Sequence, residues 1–203
     1  IQPADAKILA SSAQHAYWMV DSQVNFCAMA FATVNQLHPD APALSVAAGI
    51  LRNGFLHTAI REQGGAYGAG ANQDSSLGIF KFYTYRDPRI EGTFDDFNAS
   101  ISWLVNDAKD EGLVEQSILG IIGSMDRPSS PAGEAKQIHH ALKSGRTPER
   151  RLAYRQGLLA VTLADVKRVV EAYLLKADGK KAVLAPKGTD DIAAKLGLNA
   201  IEL

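Results

Sequence analysis

This sequence has one cysteine in 203 residues, Cys27, so it has no internal disulfide. Cys27 lies in an apolar run, where a buried small hydrophobe is the expected role. The chain also lacks any large excess of charge. Lys and Arg total 21 against 22 Asp and Glu, a formal net charge of −1, and no global basic field draws in nucleic acid. No uninterrupted apolar run reaches the length needed to span a membrane. No signal peptide is visible, yet the chain begins at Ile1 rather than Met, which is compatible with processing or with a longer parent. Internal repeats and low-complexity segments are missing as well.

Chemical motifs are scarce. The five histidines are His15, His38, His57, His139 and His140, and none forms H-E-x-x-H or H-x-x-E-H. His139 and His140 are adjacent, so on a helix they point about 100° apart and are poorly placed to share one ion. Residues 68–73 begin as G-x-G-x-x but carry Gln73 where the last glycine belongs. They also follow a helix and open a strand, the reverse of the dinucleotide-binding context. No Walker-type phosphate loop and no nucleophile–base pair occurs. Asp74 reads as a turn former and Asp96 as a helix-cap partner.

What the chain does have is ample apolar material, 46% of residues, enough for a sizeable core. Residues 17–34 are rich in β-branched and aromatic side chains and read as one or two strands, with Asp21-Ser22-Gln23 as a turn or a polar patch. Residues 43–61 have helical apolar spacing at Leu44, Val46, Ala47, Ile50, Leu51, Phe55, Leu56 and Ile60. Two paired strands are expected at 66–72 and 77–85 across a Gln-Asp-Ser-Ser turn. Further helices are expected to open at Thr93-x-x-Asp96, stopping at Gly112, and then at 114–125, 134–143, Thr147-Pro148 and Thr162-x-x-Asp165. A strand at 181–185 and a helix at 190–196 close the chain, and residues 4–14 read as a short helix or a loose arm. Strands gather early and at the end with helices between, which argues for an α+β fold.

One stretch stands out: "REQGGAYGAG", residues 61–70, six of whose ten residues are Gly or Ala. The plain reading is architectural. Gly64 and Gly65 stop the long helix through a left-handed turn, and small strand residues allow close packing. That accounts for the glycines but not for Arg61 and Tyr67, six positions apart. An Arg fork matches carbonyl or carboxylate oxygens, and a Tyr phenol donates to a developing oxyanion. Such a pair can recognise or polarise an amide, but it lacks the nucleophile, base or metal to cleave one.

With "GIFKFYTYRDP", "TFDDFNASISWL" and "RRLAYRQGLLAVTLADVKRVVEAYL", this stretch resembles the C-terminal part of insulinase/pitrilysin-like zinc metallopeptidases, nearest the presequence-protease branch. The resemblance covers about residues 17–174. It implies an antiparallel sheet with helices packed on one face, and residues 1–203 as a single C-terminal domain without the zinc motif. It implies a part in a zinc metalloendopeptidase that degrades unstructured peptides. Zinc would sit in an N-terminal half, the partner of this domain, and this chain alone would be inactive. By the same resemblance Arg61 and Tyr67 contact substrate, Tyr67 supports the transition state, and Gly64, Gly65 and Gly68 shape the turn that presents them. No nucleic-acid or membrane partner is expected, and the compartment would be cytoplasmic in bacteria or organellar in eukaryotes. The alternative is a catalytically silent structural or interaction domain of the same fold.

Overall fold

A computed structural model describes residues 15–203; the segment 4–14 lies outside the described residues. Six strands form one sheet: β1 (Ala16–Val20), β2 (Phe26–Ala32), β3 (Gly68–Asp74), β4 (Ile79–Tyr85), β5 (Lys180–Pro186) and β6 (Ala200–Glu202). Their order across the sheet is β3-β4-β2-β5-β1-β6. The first four positions pair antiparallel, as expected. The expectation of an antiparallel sheet needs one correction. β1 runs parallel to both of its neighbours, with Tyr17 opposite Val183 on one side and Ala200 on the other. The sheet is therefore mixed. The residues between β1 and β2 do turn, but β5 lies between those two strands.

Among the described residues seven helices accompany the sheet in this α+β domain: α1 (Ala41–Leu51), α2 (Glu91–Asn106), α3 (Gly112–Met125), α4 (Pro131–Lys143), α5 (Pro148–Leu159), α6 (Leu163–Val170) and α7 (Asp190–Lys195). Two continue in wider, i→i+5 winding, α1 through Arg52–Gln63 and α6 through Glu171–Leu175. Strand burial alternates. Tyr17 and Met19, Cys27, Met29 and Phe31, Phe80 and Phe82, and Val183 and Ala185 are buried on one side. Against them pack Leu44, Ile50, Leu51, Leu56 and Ile60 of the long helix, Phe94, Phe97, Ile101 and Leu104 of α2, and Val166, Val169 and Val170 of α6. The period of two in the strands and near four in the helices meets in one apolar layer.

Several helix ends differ from expectation. α2 opens at Glu91, before Thr93, and its N-cap Ile90 has no side-chain cap bond. Thr93 is buried and donates its hydroxyl to Asp87 at 2.7 Å, so it does not act as a cap. Asp96 pairs with Arg89 at 2.8 Å instead. Gly112 does not stop α2; it begins α3, and Asp107 is the α2 C-cap. Thr147 and Thr162 do cap their helices, the latter in a full reciprocal box with Asp165.

Candidate substrate-contact site

The wide-wound second half of the long helix carries Arg61 in its last turn and ends at Gln63. Its buried positions Leu56 and Ile60, with Leu51 at the end of α1, are five and four apart, a spacing suited to more than 3.6 residues per turn. The same winding brings His57 close to both Arg61 and Glu62. Arg61 Nη1 is 3.4 Å from His57 Nε2, and His57 Nδ1 is 3.3 Å from Glu62 Oε1. Arg61 is exposed, and no carboxylate among the described residues lies within ion-pair distance of it.

The chain then reverses. Gly65 has φ +81°, the left-handed conformation that glycine adopts without a Cβ penalty. The N–H of Gly65 donates to the Arg61 carbonyl and that of Ala66 to Ile60. Gly64 has ordinary helical dihedrals but almost no room. A Cβ there would lie 2.0 Å from Arg89 Nη2 and 2.5 Å from the Ile60 carbonyl. The expected glycine turn is present, and its two glycines serve different needs.

Tyr67 follows at 69% exposure and is held by its backbone: its N–H donates to the Arg86 carbonyl at 3.2 Å. Its ring meets Tyr85 edge-on, with centroids 5.9 Å apart, and Tyr85 meets Phe26 in the same manner at 5.4 Å. Arg61 and Tyr67 thus stand on either side of one tight turn, both open to solvent. Among the described residues β3 is the outermost strand, and one edge of Gly68–Asp74 has no neighbour in the sheet. The glycine backbone is not uniformly bare, however. Gly70 is covered by Tyr83, whose Oη would be 2.7 Å from a Cβ at that position.

Behind this rim, Asp87 is a buried anchor. It exchanges backbone bonds with Asn25, both at 2.9 Å, and its carboxylate accepts the Arg89 N–H at 3.0 Å and the Thr93 hydroxyl. The sequence carries one signal for Asp87, its place within Arg86-Asp87-Pro88, a turn composition. Burial, and secondarily the nearby Asp87 carboxylate, push the Cys27 thiol up to about 12. Cys27 is a buried small hydrophobe, as expected. Asp74 is the turn former expected of it, accepting from Ser76 and Leu77.

Among the described residues no group of three or more His, Cys, Asp and Glu side chains could hold a metal ion. His139 and His140 are exposed, their rings 6.0 Å apart. The described residues do not fit a zinc centre. Two concavities, of about 500 and 860 Å³, lie around α4 and α5 and the β3–β4 turn; neither is lined by Arg61 or Tyr67. No described helix is long and apolar enough to cross a membrane.

The fold is that of M16-type peptidase domains. It superposes on the M16 peptidase inactive domain from Pseudomonas fluorescens with TM-score 0.68 at 16% identity, over 86% of this chain and 43% of that one. A protease from Helicobacter pylori matches with TM-score 0.72 at 16% identity, over 85% of this chain and 44% of the other. Sequence narrows the class. Residues 15–186 match the PreP C-terminal domain, and the chain belongs to that presequence-protease family. It is 37% identical over 185 residues to the mitochondrial presequence protease of Saccharomyces cerevisiae, covering 90% of this chain and 18% of that protein. The Drosophila melanogaster counterpart is 37% identical over 161 residues, 78% of this chain and 15% of that protein. The chain thus spans less than a fifth of the length of these relatives.

Proposed function

We propose that this chain is one C-terminal domain of a zinc metallopeptidase acting on unstructured peptides, and that its role is to close the reaction chamber and hold the peptide. Arg61 donates to backbone carbonyls of the extended substrate. The Tyr67 phenol donates to the oxygen of the carbonyl under attack as negative charge develops there. Both do so without rearranging, because the Gly64–Gly65 turn and the Arg86 carbonyl fix the backbone between them. The observation that carries this reading is the exposure of both side chains on either side of a turn whose backbone is locked. A tyrosine placed for packing alone would bury its ring.

On this reading Arg61 and Tyr67 bind and polarise an amide, and the described residues hold no metal-binding group to hydrolyse it. Zinc supplies that chemistry, and its ligands belong to the N-terminal half of the same enzyme, this domain's partner. Tyr67→Phe in the complete enzyme is expected to lower kcat roughly 10²-fold, the order of one lost oxyanion donor. Arg61→Ala is expected to act mainly on KM. Steady-state hydrolysis of an unstructured peptide reads both, and the isolated chain is expected to show no hydrolysis. If both variants turn over like the parent, the domain is a catalytically silent scaffold.

A further inference from the structure

Arg86 is the only non-glycine with positive φ among the described residues, at +51°. An L-residue held there is strained by its Cβ, a strain that glycine would avoid. Its place explains the conformation. Asn25 bridges Asp87, and Ala28 pairs with Tyr83. Between those pairs β2 contributes Phe26 and Cys27, whereas the β4 side contributes Thr84, Tyr85 and Arg86. The extra residue makes a β-bulge, a device that re-aims a side chain. The ladder is broken locally, and the Cys27 N–H donates to the Thr84 hydroxyl at 3.2 Å.

The surroundings hold the strain in place. On one side Asp87 is pinned by Asn25, Arg89 and Thr93. On the other the Arg86 carbonyl accepts the Tyr67 N–H. The guanidinium carbon lies 5.7 Å from the centre of the Tyr85 ring, which itself meets Tyr67. Arg86 is exposed, and none of the ion pairs among the described residues includes it. The guanidinium is thus held on a strained bulge against the Tyr85 ring and faces no carboxylate among the described residues. Strain of this kind persists where the surroundings over-determine it, and it concentrates at ligand contacts.

We infer that Arg86 is a specificity-determining residue that binds a carboxylate of the peptide held at Tyr67. The inference rests on the peptide-holding role proposed above. A fork of N–H donors takes a carboxylate bidentately, and the aromatic platform limits the motion of the fork. The carboxylate is either the peptide's C-terminus or an acidic side chain.

The test uses the complete enzyme with its metal chelated, so that equilibrium binding is read without turnover. The probes are an unstructured Ala/Ser/Gly peptide as C-terminal acid, the same peptide as C-terminal amide, and the amide form with one internal Glu. The parent is expected to bind at least one carboxylate form about tenfold more tightly than the plain amide, the order of a charge-assisted bond. Which form gains identifies the source of the carboxylate. Arg86→Gly is expected to abolish that ratio while leaving thermal stability equal or higher, because glycine relieves the φ strain. A ratio that survives Arg86→Gly, or a parent that does not discriminate, overturns the inference. The Tyr67→Phe turnover measurement tests the underlying role separately, so failure of one does not mimic failure of the other.

Discussion

At Gly64 and Gly65 two adjacent glycines fail substitution for different reasons. Alanine at Gly65 meets little, with Pro88 Cγ at 3.5 Å, but must adopt φ +81°. That costs roughly 1–2 kcal/mol. Alanine at Gly64 has acceptable dihedrals but drives its methyl into the Ile60 carbonyl and the Arg89 guanidinium, an overpacking cost of about 1–3 kcal/mol. Gly64→Ala is therefore expected to lower the urea midpoint at least as much as Gly65→Ala, and it alone should disturb the Arg89–Asp96 pair. Asparagine, which tolerates the left-handed region, should recover part of the loss at position 65 and none at 64. Cys27 gives a second test at this scale. With its thiol raised to about 12 by burial, it should resist alkylation at pH 8 until the protein unfolds. Rapid labelling of the native chain would contradict its burial.

Among the elements, the Thr162–Asp165 box opens α6 with the Asp165 N–H donating to the Thr162 hydroxyl at 3.2 Å and the Thr162 N–H donating to Asp165 at 3.1 Å. Thr162→Ala should cost about 1 kcal/mol, measured by denaturant unfolding. The same Thr-x-x-Asp pattern at Thr93 forms no cap, because Thr93 is turned inward to Asp87. The pattern alone does not say whether a threonine faces solvent or a buried acceptor, so it does not locate the start of α2. β-Branched and aromatic composition, together with the turn at residues 73–76, made β2 and β4 legible. β6 is three residues long, too short to display a period, and went unread. The Arg61–Tyr67 pair was visible as residue types that the glycine turn did not need. Arg86 was not, because a bulge arises from a mismatch between two strands, and a single strand's sequence does not record its register.

Over the whole molecule, parallel pairing of β1 with β5 and β6 joins the two ends of the described chain. Such long-range pairing leaves no local signature, so the mixed sheet was beyond a reading based on spacing. Asp40 makes a comparable long-range tie. Located before α1, it accepts from Arg168 at 2.7 Å and from the Tyr173 hydroxyl at 2.9 Å. Arg168 is the chief cause of its depressed pKa, with Tyr173 assisting against desolvation. Because the folded pKa lies below the unfolded value, the stabilisation is fully present above the ordinary Asp range near 3.9 and is lost as pH falls through the folded value. Asp40→Asn should cost about 1 kcal/mol at neutral pH, discounted for the exposed Arg168, and its deficit should shrink in acid. Urea midpoints across a pH series test this; a deficit independent of pH would assign the loss to packing.

The wide winding of Arg52–Gln63 makes the long helix a phase gauge. The azimuth of Arg61 about the helix axis depends on the number of residues since Leu51 and on how tightly they are coiled. If one residue were removed and the segment settled into ordinary α geometry, Leu56 and Ile60 could find new seats in the apolar layer. Arg61 would then leave the helix at a different azimuth relative to the turn that leads to Tyr67. For the peptide-holding role proposed above, a length change that the core tolerates would thus still alter where Arg61 is presented, and that role sets a limit on this segment's residue count besides packing.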